Sequence, residues 1–501
     1  MHIEVEKTLP SLSQKLFRAD QVRNHEAKAA EQSFCSLYGL MQRAGKALYG
    51  HALTLAPSAE HFLILAGNGN NAGDGYICGL LALQAGKHVT LCAVDPERVL
   101  TGDAQQAQVA FIAAGGEVEE FTANQLKRND IVIDALLGTG LKGSISPEFA
   151  AIIDAVNNAD LPVLSVDVPS GINADTGVSL GRCIQADMTV TFVGIKQGLV
   201  TATGKQASGK LVFEDLEIGL AFSELCPTNT QLLQLNRFTG LAPRQVNSHK
   251  GRFGRLLCVG GNAGMSGAIR LAGEAALRSG TGLVKVYAHA DSRIQICAGR
   301  PELMVICDGL QAALEWANCV VIGPGLGQDE WALKTFSMVI QYCHKYDVPI
   351  VIDADALNLL PKHATAFTSV QCVITPHSGE ASRLLESTIE EVESNRFVSA
   401  RLLAQKYNAT CILKGAGTII DDGTQTWVCE HGNPGMATAG MGDVLSGIVG
   451  AMFAQRINKT DAAKYSVCIH GHAADIIAAE YGERGMLASD LFPQLRRLIN
   501  Q

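Results

Sequence analysis

Short apolar runs that end in glycine or aspartate recur along the chain, and they constrain its fold more than any other feature of the sequence. In the first half such runs occupy residues 62–65, 89–92, 131–133, 163–166 and 190–192. In the second half they occupy residues 256–259, 283–286, 320–322, 350–352, 373–374 and 411–413. Continuous apolar strands are typical of parallel sheets covered on both faces. Segments with helical spacing, such as 101–115 and 147–157, lie between them, so the sequence predicts α/β architecture.

The length of the chain favours two domains of this kind. With 501 residues, 47% of them hydrophobic, and 51 glycines, it exceeds one ordinary core and is rich in turn residues. The alternating pattern lapses around residues 221–230, which we interpret as a linker. We therefore predict one domain at residues 1–225 and a second at residues 226–501.

Charge and cysteine usage limit the classes of partner and compartment. The net charge of −9 and the lack of a basic stripe disfavour nucleic-acid binding. The 14 cysteines are scattered without CxxC pairs, and several lie in apolar runs, which is typical of reduced core residues. No secretory signal or membrane-spanning run is visible. We expect a cytoplasmic homo-oligomer with no nucleic-acid or membrane partner.

The segment 437–450 carries the clearest chemical signal. Small residues present Gly440 and Gly442, and Asp443 follows directly before an apolar face of helical spacing. Free N–H groups and the positive end of the dipole at a helix N-terminus attract phosphate. A carboxylate beside bound phosphate is suited to take a proton from an attacking hydroxyl. The alternative is that Asp443 only caps the helix.

Polar motifs also follow four other strands of the second half, at residues 260–268, 323–327, 375–380 and 414–418. Lys414 is followed by a glycine turn, which offers a point charge and open backbone amides to a phosphate, although it is not a Walker A sequence. His377 is either a structural hydrogen-bonding residue or a substrate contact. The alternatives for Asp353 and Asp355 are a cation site and a structural role, and we favour the structural role.

Oxygen-bearing side chains follow three strands of the first half. They lie in the segment 67–75, in the segment that begins at Asp134, and in the segment that begins at Asp167. In open α/β sheets ligands bind at the carboxyl ends of the strands. Oxygens of Asn71, Asp134 and Ser170 suit an alkali or alkaline-earth cation. The alternative is that they only form turns.

These N-terminal motifs, Asn-Asn-Ala-Gly-Asp-Gly, Asp-Ala-Leu-Leu-Gly-Thr-Gly and Asp-Val-Pro-Ser-Gly-Ile-Asn, together resemble the NAD(P)H-hydrate epimerase family, which has a Rossmann-like three-layer fold. The resemblance implies that potassium is bound by Asn71, Asp134 and Ser170. It implies that hydrated nicotinamide nucleotide contacts Asn70, Asn71, Ala72, Gly73, Asp74, Gly138, Thr139, Gly140, Leu141, Lys142, Gly143, Ser144 and Asp167.

Three residues of this half need separate comment. Asp167 is the candidate acid/base. Ala72 stands where the family usually has glycine, and at a positive φ it would cost roughly 1 kcal/mol. Lys196 either faces the pyrophosphate or is a solvated lysine, and we favour the solvated lysine.

The order of the C-terminal motifs resembles the ribokinase-like fold. With Ser-His-Lys-Gly-Arg-Phe-Gly at 248–254, it resembles the ADP-dependent NAD(P)H-hydrate dehydratase branch of that fold. The resemblance implies that ADP is bound by Lys414, Gly415, Ala416, Gly417, Thr418 and Gly442. It implies that the damaged coenzyme contacts Ala268, Gly325, His377 and Asp443.

The fused order, over residues 10–220 and 240–500, resembles the bifunctional NAD(P)H-hydrate repair family. What this implies is an enzyme that is both isomerase and lyase. Its N-terminal domain epimerises the R and S hydrates of NADH and NADPH. Its C-terminal domain dehydrates the S hydrate with ADP and magnesium, with Asp443 as general base, and gives NAD(P)H, AMP and phosphate. The alternative is a ribokinase-like small-molecule kinase fused to a non-catalytic nucleotide-binding domain.

Overall fold

A computed structural model describes residues 11–141, 143–363 and 371–501, so that Lys142, one of the expected substrate contacts, lies outside the described residues. The described chain divides into two compact units, residues 11–231 and residues 232–501. The domain limits drawn from the sequence, 1–225 and 226–501, stay a prediction. The proposed linker is shorter than expected, because a helix runs to Leu225 and a strand begins at Thr230.

The N-terminal unit alternates strands and helices. Its strands are β1 (Lys15–Phe17), β2 (His61–Ala66), β3 (His88–Ala93), β4 (Val118–Glu120), β5 (Ile131–Ala135), β6 (Val163–Val166), β7 (Met188–Phe192), β8 (Ile195–Lys196), β9 (Lys210–Glu214) and, at its end, β10 (Thr230–Leu233). Its helices are α1 (Ala19–Gln32), α2 (Leu37–Leu55), α3 (Asn70–Gln84), α4 (Gly102–Ala113), α5 (Pro147–Asn157), α6 (Ala202–Ala207) and α7 (Gly219–Leu225).

The order of the strands shows where a ligand can bind to the N-terminal sheet. The main sheet runs β4-β3-β2-β5-β6-β7-β9, and its neighbouring strands are parallel. From β2 the chain moves outward to β3 and β4, and from β5 it moves the other way. The order therefore reverses between β2 and β5, and such a switch point opens a crevice at the carboxyl ends of the two strands.

Alternate residues of the central strands pack into two separate cores. Phe62 and Ile64 of β2 lie in a core with α2, α3 and α4, whereas Leu63 and Leu65 lie in a second core with α5. The sheet is therefore covered on both faces, as three-layer architecture requires. Continuous apolar strands are the sequence signature of that arrangement.

The C-terminal unit has the same alternation and more helix. Its strands are β11 (Arg255–Val259), β12 (Leu283–Tyr287), β13 (Met304–Ile306), β14 (Cys319–Ile322), β15 (Ile350–Ile352), β16 (Cys372–Ile374), β17 (Thr410–Leu413), β18 (Ile419–Asp421) and β19 (Thr426–Cys429). Its helices are α8 (Ser266–Arg278), α9 (Arg293–Gly299), α10 (Leu310–Trp316), α11 (Glu330–Tyr346), α12 (Ala354–Leu359), α13 (Ser378–Leu385), α14 (Ile389–Ser394), α15 (Arg396–Tyr407), α16 (Met441–Ala454), α17 (Lys459–Tyr481) and α18 (Leu491–Leu498).

In this unit the strands run in the order β13-β12-β11-β14-β15-β16-β17-β18-β19. They are parallel as far as β17 and then antiparallel. Helix α16 packs closely against α8 and the sheet because two of its residues lack side chains. A Cβ at Gly447 would lie 2.1 Å from the carbonyl oxygen of Ala272, and one at Gly450 would lie 2.3 Å from Val321 Cγ2. These contacts fix the position of the helix that carries Asp443.

Each apolar run named from the sequence is a strand, and the two helical segments correspond to α4 and α5. The patterns miss short or peripheral strands such as β4, β8 and β13, which have two or three residues each. All 14 cysteines are free thiols, as expected for reduced core residues. Within the described residues, no helix is both long and apolar enough to cross a membrane.

Candidate functional sites

The first candidate site is a cavity of about 610 Å³ at the switch point of the N-terminal sheet. Residues that the sequence predicts as substrate contacts line it, namely Asn70, Asn71, Asp74, Gly138, Thr139, Gly140, Leu141 and Asp167. Two others, Ala72 and Gly73, are buried in α3. Gly143 and Ser144 are exposed further along the 138–144 loop. The cavity therefore collects most of the expected contacts from three separate segments of the chain.

The segment expected to be a loop before a helix at Tyr76 is the first turn of that helix, because α3 begins at Asn70. Ala72 is thus a buried helical residue, and the expected cost of alanine at a positive φ does not arise. Gly73 is required for packing, since a Cβ there would lie 2.6 Å from Met41 Sδ. The N-terminus of α3, with its free N–H groups, is therefore at the cavity wall.

Of the expected cation ligands, Asn71 and Ser170 lie beside the carbonyl oxygen of Leu137, and Asp134 contacts Ser170. Ser170 Oγ lies 2.5 Å from Asp134 Oδ1 and 3.2 Å from Leu137 O. The amide of Asn71 donates to Val166 O at 2.9 Å and to Leu137 O at 3.4 Å. Burial raises the pKa of Asp134, and hydrogen bonds from neutral serine and main-chain donors oppose that rise. The structure therefore brings the three residues together at the ends of β5 and β6.

Asp167 is held in a strained conformation against a buried lysine. Its φ is +63°, in the left-handed region that residues other than glycine rarely adopt. Its carboxylate accepts hydrogen bonds from Thr191 Oγ1 at 3.0 Å and Phe192 N at 3.1 Å, and it is ion-paired with Lys196. The Lys196 side chain is only 2% exposed. The interpretation of Lys196 as a solvated lysine is therefore wrong, because the two-residue strand β8 that buries it is too short to leave a pattern.

Glu26 is a residue of this cavity that the sequence motifs do not include. It lies on α1 and lines the cavity with Asp74 and Asp167. Burial raises the pKa of Glu26, and Lys196 opposes that effect. Helix α1 is polar and carries none of the motifs, so only its packing against the cavity reveals this carboxylate.

The second candidate site lies at the N-terminus of α16, which begins at Met441. The sequence predicts a helix here but places Asp443 in the loop before it, so the helix begins earlier than expected. Gly440 is the N-cap residue, with a φ of +90°, and a Cβ there would lie 2.6 Å from Leu271 Cδ1 on α8. Asp443 is the third residue of the helix. The alternative interpretation of Asp443 as an N-cap is therefore wrong, and its side chain is available for another role.

The environment of Asp443 raises its pKa to about 7. Burial is the largest cause, and the negative charge of Asp353 adds to it, whereas Lys414 lowers the value. A carboxylate with a pKa near neutrality is suited to accept a proton in general-base catalysis. The helix N-terminus beside it favours a bound anion.

Lys414 lies beneath this helix end at the carboxyl end of β17. Its Nζ is 3.0 Å from Asp353 Oδ1 and 3.6 Å from Glu380 Oε2. A Cβ on Gly442 would lie 3.4 Å from that nitrogen, so Lys414 and the first turn of α16 are neighbours. Burial lowers the pKa of Lys414, but the two carboxylates more than offset this and raise it, so the lysine stays charged.

Residues 415–418 continue from Lys414 as a tight turn. Gly415 has a φ of +148°, and a Cβ there would lie 2.7 Å from the guanidinium of Arg396. Arg396 is buried and donates to the carbonyl oxygens of Leu413 and Lys414, each at 3.2 Å. Thr418 Oγ1 lies 3.1 Å from Gly415 O. The turn is therefore built on a buried arginine that the motif itself does not reveal.

His377 is the N-cap residue of α13 and therefore has a structural role. Its Nδ1 accepts a hydrogen bond from Gly379 N at 3.0 Å, and its own main-chain N–H donates to Glu380 Oε2 at 2.8 Å. The same Glu380 faces Lys414. The ring is 55% exposed, which leaves its outer edge open to a ligand.

Ala268 lies in the first turn of α8, which follows β11, and Gly325 lies on the neighbouring loop after β14. Gly325 has a φ of +58°, and a Cβ there would lie 2.6 Å from Met265 O and 3.3 Å from the Cβ of Ala268. Ala268 begins the turn of α8 that leads to Leu271, which touches Gly440. Helix α8 therefore connects two of the predicted coenzyme contacts, Ala268 and Gly325, to the N-terminus of α16.

Taken as folds, the two units define a Rossmann-like domain with a ligand cavity and a ribokinase-like domain with an anion site beside a carboxylate. The family model described as YjeF-related protein N-terminus matches residues 37–198, and the one described as NAD(P)H-hydrate dehydratase matches residues 256–497. A ribokinase-like superfamily protein from Enterococcus faecalis V583 aligns with 54% of this chain and 96% of its own, with a TM-score of 0.50 and 29% identity.

Curated relatives match over nearly the whole chain. The bifunctional NAD(P)H-hydrate repair enzyme Nnr of Escherichia coli (strain K12) is 42% identical over 502 residues, which cover 99% of this chain and 96% of the relative. The enzyme of the same name from Coxiella burnetii is 41% identical over 491 residues, which cover 97% and 99%. The chain belongs to the family of bifunctional NAD(P)H-hydrate repair enzymes. Membership confirms the predicted family and class of enzyme, and it does not support the small-molecule kinase alternative.

Proposed function

We propose that the chain repairs hydrated NADH and NADPH, with epimerisation of the R and S hydrates in the N-terminal unit and ADP-dependent dehydration of the S hydrate in the C-terminal unit. The observation that carries this proposal is the position of Asp443 on the first turn of α16, beside Lys414 and with a pKa near 7. A general base and an anion site in one place are what phosphoryl transfer to a hydroxyl requires.

The hydrate carries a hydroxyl on its nicotinamide ring, and hydroxide is a poor leaving group. Asp443 takes the hydroxyl proton, and the oxygen attacks the terminal phosphorus of ADP, so that AMP leaves. The C–O bond of this phosphate ester then breaks, phosphate leaves with the electron pair, and the neighbouring carbon loses a proton to solvent. The ring double bond is restored, and the products are NAD(P)H, AMP and phosphate. Amides of the 440–443 turn stabilise the transferred group by preorganised electrostatics.

ADP is assigned to Lys414, Gly415, Ala416, Gly417, Thr418 and Gly442. The charge of Lys414 is fixed by Asp353 and Glu380, which supports a role in binding phosphate. Both oxygens of Asp353 already interact with Lys414, Thr375 and Ser446. We therefore assign magnesium to the diphosphate of ADP, whose oxygens are ligands that it prefers.

The damaged coenzyme is assigned to Ala268, Gly325, His377 and Asp443. The open edge of the His377 ring, and the close approach of the Gly325 loop to Ala268 on α8, support this assignment. His377 is the exposed member of the group. The burial of its ring and the charge of Lys414 both lower its pKa, which favours the neutral imidazole at pH 7.

For the N-terminal unit we propose that the hydrate occupies the cavity of about 610 Å³. Its contacts are the residues 70–74, 138–144 and Asp167. Asp167 acts as the acid/base in the inversion of the ring carbon that bears the hydroxyl, and its carboxylate is ion-paired with Lys196. The collection of these residues around one cavity supports catalysis over a merely nucleotide-binding role.

Potassium is assigned to Asn71, Asp134 and Ser170. The donor set fits, because carboxylate, hydroxyl and carbonyl oxygens are hard ligands. Asp134 is a fully buried carboxylate whose hydrogen-bond donors, Ser165 and Ser170, are neutral. A monovalent cation there would balance its charge and set the geometry of the loop that begins at Leu137. We also propose that the protein is cytoplasmic and forms a homo-oligomer. Size-exclusion chromatography with light scattering can test the oligomeric state.

The experiment is to incubate mixed epimers of NADH hydrate with the protein, ADP, magnesium and potassium, and to follow the absorbance of reduced nicotinamide. Full recovery is expected, and an Asp443→Ala variant should lose it. Recovery that stops at the fraction of one epimer would contradict the epimerase assignment. A stable phosphorylated product without recovery would contradict the dehydratase assignment.

A further inference from the structure

The N-terminal cavity is lined by more acidic than basic side chains. Its charged lining residues are Arg23, Glu26, Asp74, Asp103, Asp167 and Lys196. Lys196 is paired with Asp167. Among the described residues, the carboxyl group of Asp74 forms no hydrogen bond and no ion pair. One carboxylate of the cavity is therefore neutralised by a cation, and another faces the same space without one.

The backbone around Asp74 is fixed by close packing on both sides. A Cβ on Gly73 would lie 2.6 Å from Met41 Sδ and 3.0 Å from Ala104 Cα. A Cβ on Gly75 would lie 2.9 Å from the Cβ of Ala135. Both neighbours of Asp74 thus lie close to other elements, and Asp74 lines the cavity together with Asn70 and Asn71 at the start of the same helix. Such rigid placement is what a catalytic group needs.

The electrostatic environments of the two aspartates differ in a consistent way. Burial raises the pKa of Asp74 well above its ordinary range, and the charges of Asp167 and Glu26 raise it further, while Lys196 acts in the opposite direction. Lys196 contacts Asp167 directly, and Thr191 and Phe192 donate to the same carboxylate. Asp74 is therefore suited to hold a proton and donate it, whereas the carboxylate of Asp167 already accepts hydrogen bonds from Thr191 and Phe192 and pairs with Lys196. Two carboxyl groups in such contrasting environments are the usual mark of an acid and a base.

We propose that Asp74 is the general acid of the N-terminal site, that Asp167 is its general base, and that Glu26 is a positioning residue that acts through Asp74. The proposal rests on the proposed epimerisation and deepens it, since Asp74 is otherwise assigned only as a substrate contact. Glu26 comes from α1, which precedes the segment 37–198 matched by the family model.

Epimerisation of the substrate needs both a proton acceptor, Asp167, and a proton donor, Asp74. Hydration of an enamine places the hydroxyl on the carbon next to the ring nitrogen, because that carbon is the electrophilic one. Asp167 takes the hydroxyl proton, the C–O bond becomes C=O, and the C–N electron pair moves to nitrogen, which takes the proton of Asp74. Rotation about the adjacent C–C bond and the reverse steps close the ring on the other face. Both carboxyl groups then regain their starting protonation states.

The test uses the full chain without ADP, so that dehydration is silent, and one pure hydrate epimer followed by NMR. Wild-type protein should interconvert the epimers, and failure at this stage would contradict the proposed function itself. Asp74→Asn should lower kcat by about 10²-fold or more while KM changes little, since the amide keeps the shape but cannot transfer a proton. An Asp74→Asn variant that epimerises at the wild-type rate would overturn the inference alone.

Two further measurements separate the acid role from a structural one. Infrared difference spectra between wild-type protein and Asp74→Asn at neutral pH should show the carbonyl stretch of a protonated carboxyl group. Glu26→Gln removes a neighbouring negative charge, so the alkaline limb of the kcat/KM profile should move to lower pH. Glu31→Gln, an exposed change on the same helix, should leave the profile unchanged. An ionised Asp74 in the spectra, or equal profiles for Glu26→Gln and wild type, would overturn the assignment.

Discussion

Lys414 Nζ and Asp353 Oδ1 form an ion pair at 3.0 Å directly below the N-terminus of α16. Asp353 is buried, and Thr375 Oγ1 and Ser446 Oγ each lie 2.7 Å from its carboxylate. Ser446 belongs to α16 itself. One carboxylate therefore links the end of β15, Lys414 and the helix that carries Asp443. The interpretation of Asp353 as structural agrees with these contacts.

Replacement of the general base should separate the two activities. Asp443→Asn keeps the size of the side chain but cannot accept the hydroxyl proton, so we expect dehydration to slow by about 10²–10⁴-fold. Absorbance recovery from the S hydrate with ADP measures this step. Epimerisation, followed by NMR in the same preparation, serves as the internal control and should be unchanged. An equal loss of both activities would contradict separate sites.

The rate of dehydration should depend on pH through Asp443. Because the base must be ionised, kcat/KM should fall as the pH drops below about 7. Asp353→Asn removes a negative charge that raises the pKa of Asp443. The acid limb of the kcat/KM profile should therefore move to lower pH in this variant. Asp347→Asn is exposed and should not move the limb. A kcat/KM profile of the wild-type protein that is flat between about pH 5 and 8 would contradict the role of Asp443.

The left-handed glycine before α16 should not tolerate a side chain. Gly440→Ala combines a φ of +90° with a Cβ only 2.6 Å from Leu271 Cδ1, and we expect about 2–4 kcal/mol of destabilisation with loss of dehydratase activity. Gly485→Ala has a φ of +87° but open space around its Cβ, so it should cost about 1 kcal/mol and stay active. Thermal unfolding and absorbance recovery measure the two effects. Similar costs for both variants would show that the collision with Leu271 is unimportant.

Potassium should stabilise the N-terminal unit against heat. A cation that binds the native state at 100 times its Kd contributes about 2.7 kcal/mol, which scanning calorimetry in potassium chloride against choline chloride detects. Ser170→Ala removes one ligand and should abolish most of the difference between the two salts. Ser58→Ala, which is exposed, should retain it. Equal potassium effects in the two variants would contradict a site at Ser170.

Much of the fold could be predicted from the sequence because its strands are covered on both faces and therefore apolar throughout. Their runs and the glycine-rich turns behind them leave a local pattern that needs no knowledge of distant residues. Strands of two or three residues, such as β8, leave no such pattern. The helical state of Asn70–Asp74 is also invisible, since glycine and asparagine are typical of loops.

For the sites, the sequence indicated which segments carry the polar groups, that a helix follows the glycines near Asp443, and the family. Which charges share one space depends on the tertiary structure. Lys196 meets Asp167 across 29 residues, Lys414 meets Asp353 across 61, and Glu26 reaches the cavity from a helix without a motif. Burial and charge–charge distance set proton affinity, and both arise from packing between segments distant in sequence. The chain thus encodes the chemical groups locally, whereas their acid or base character appears only when the fold brings them together.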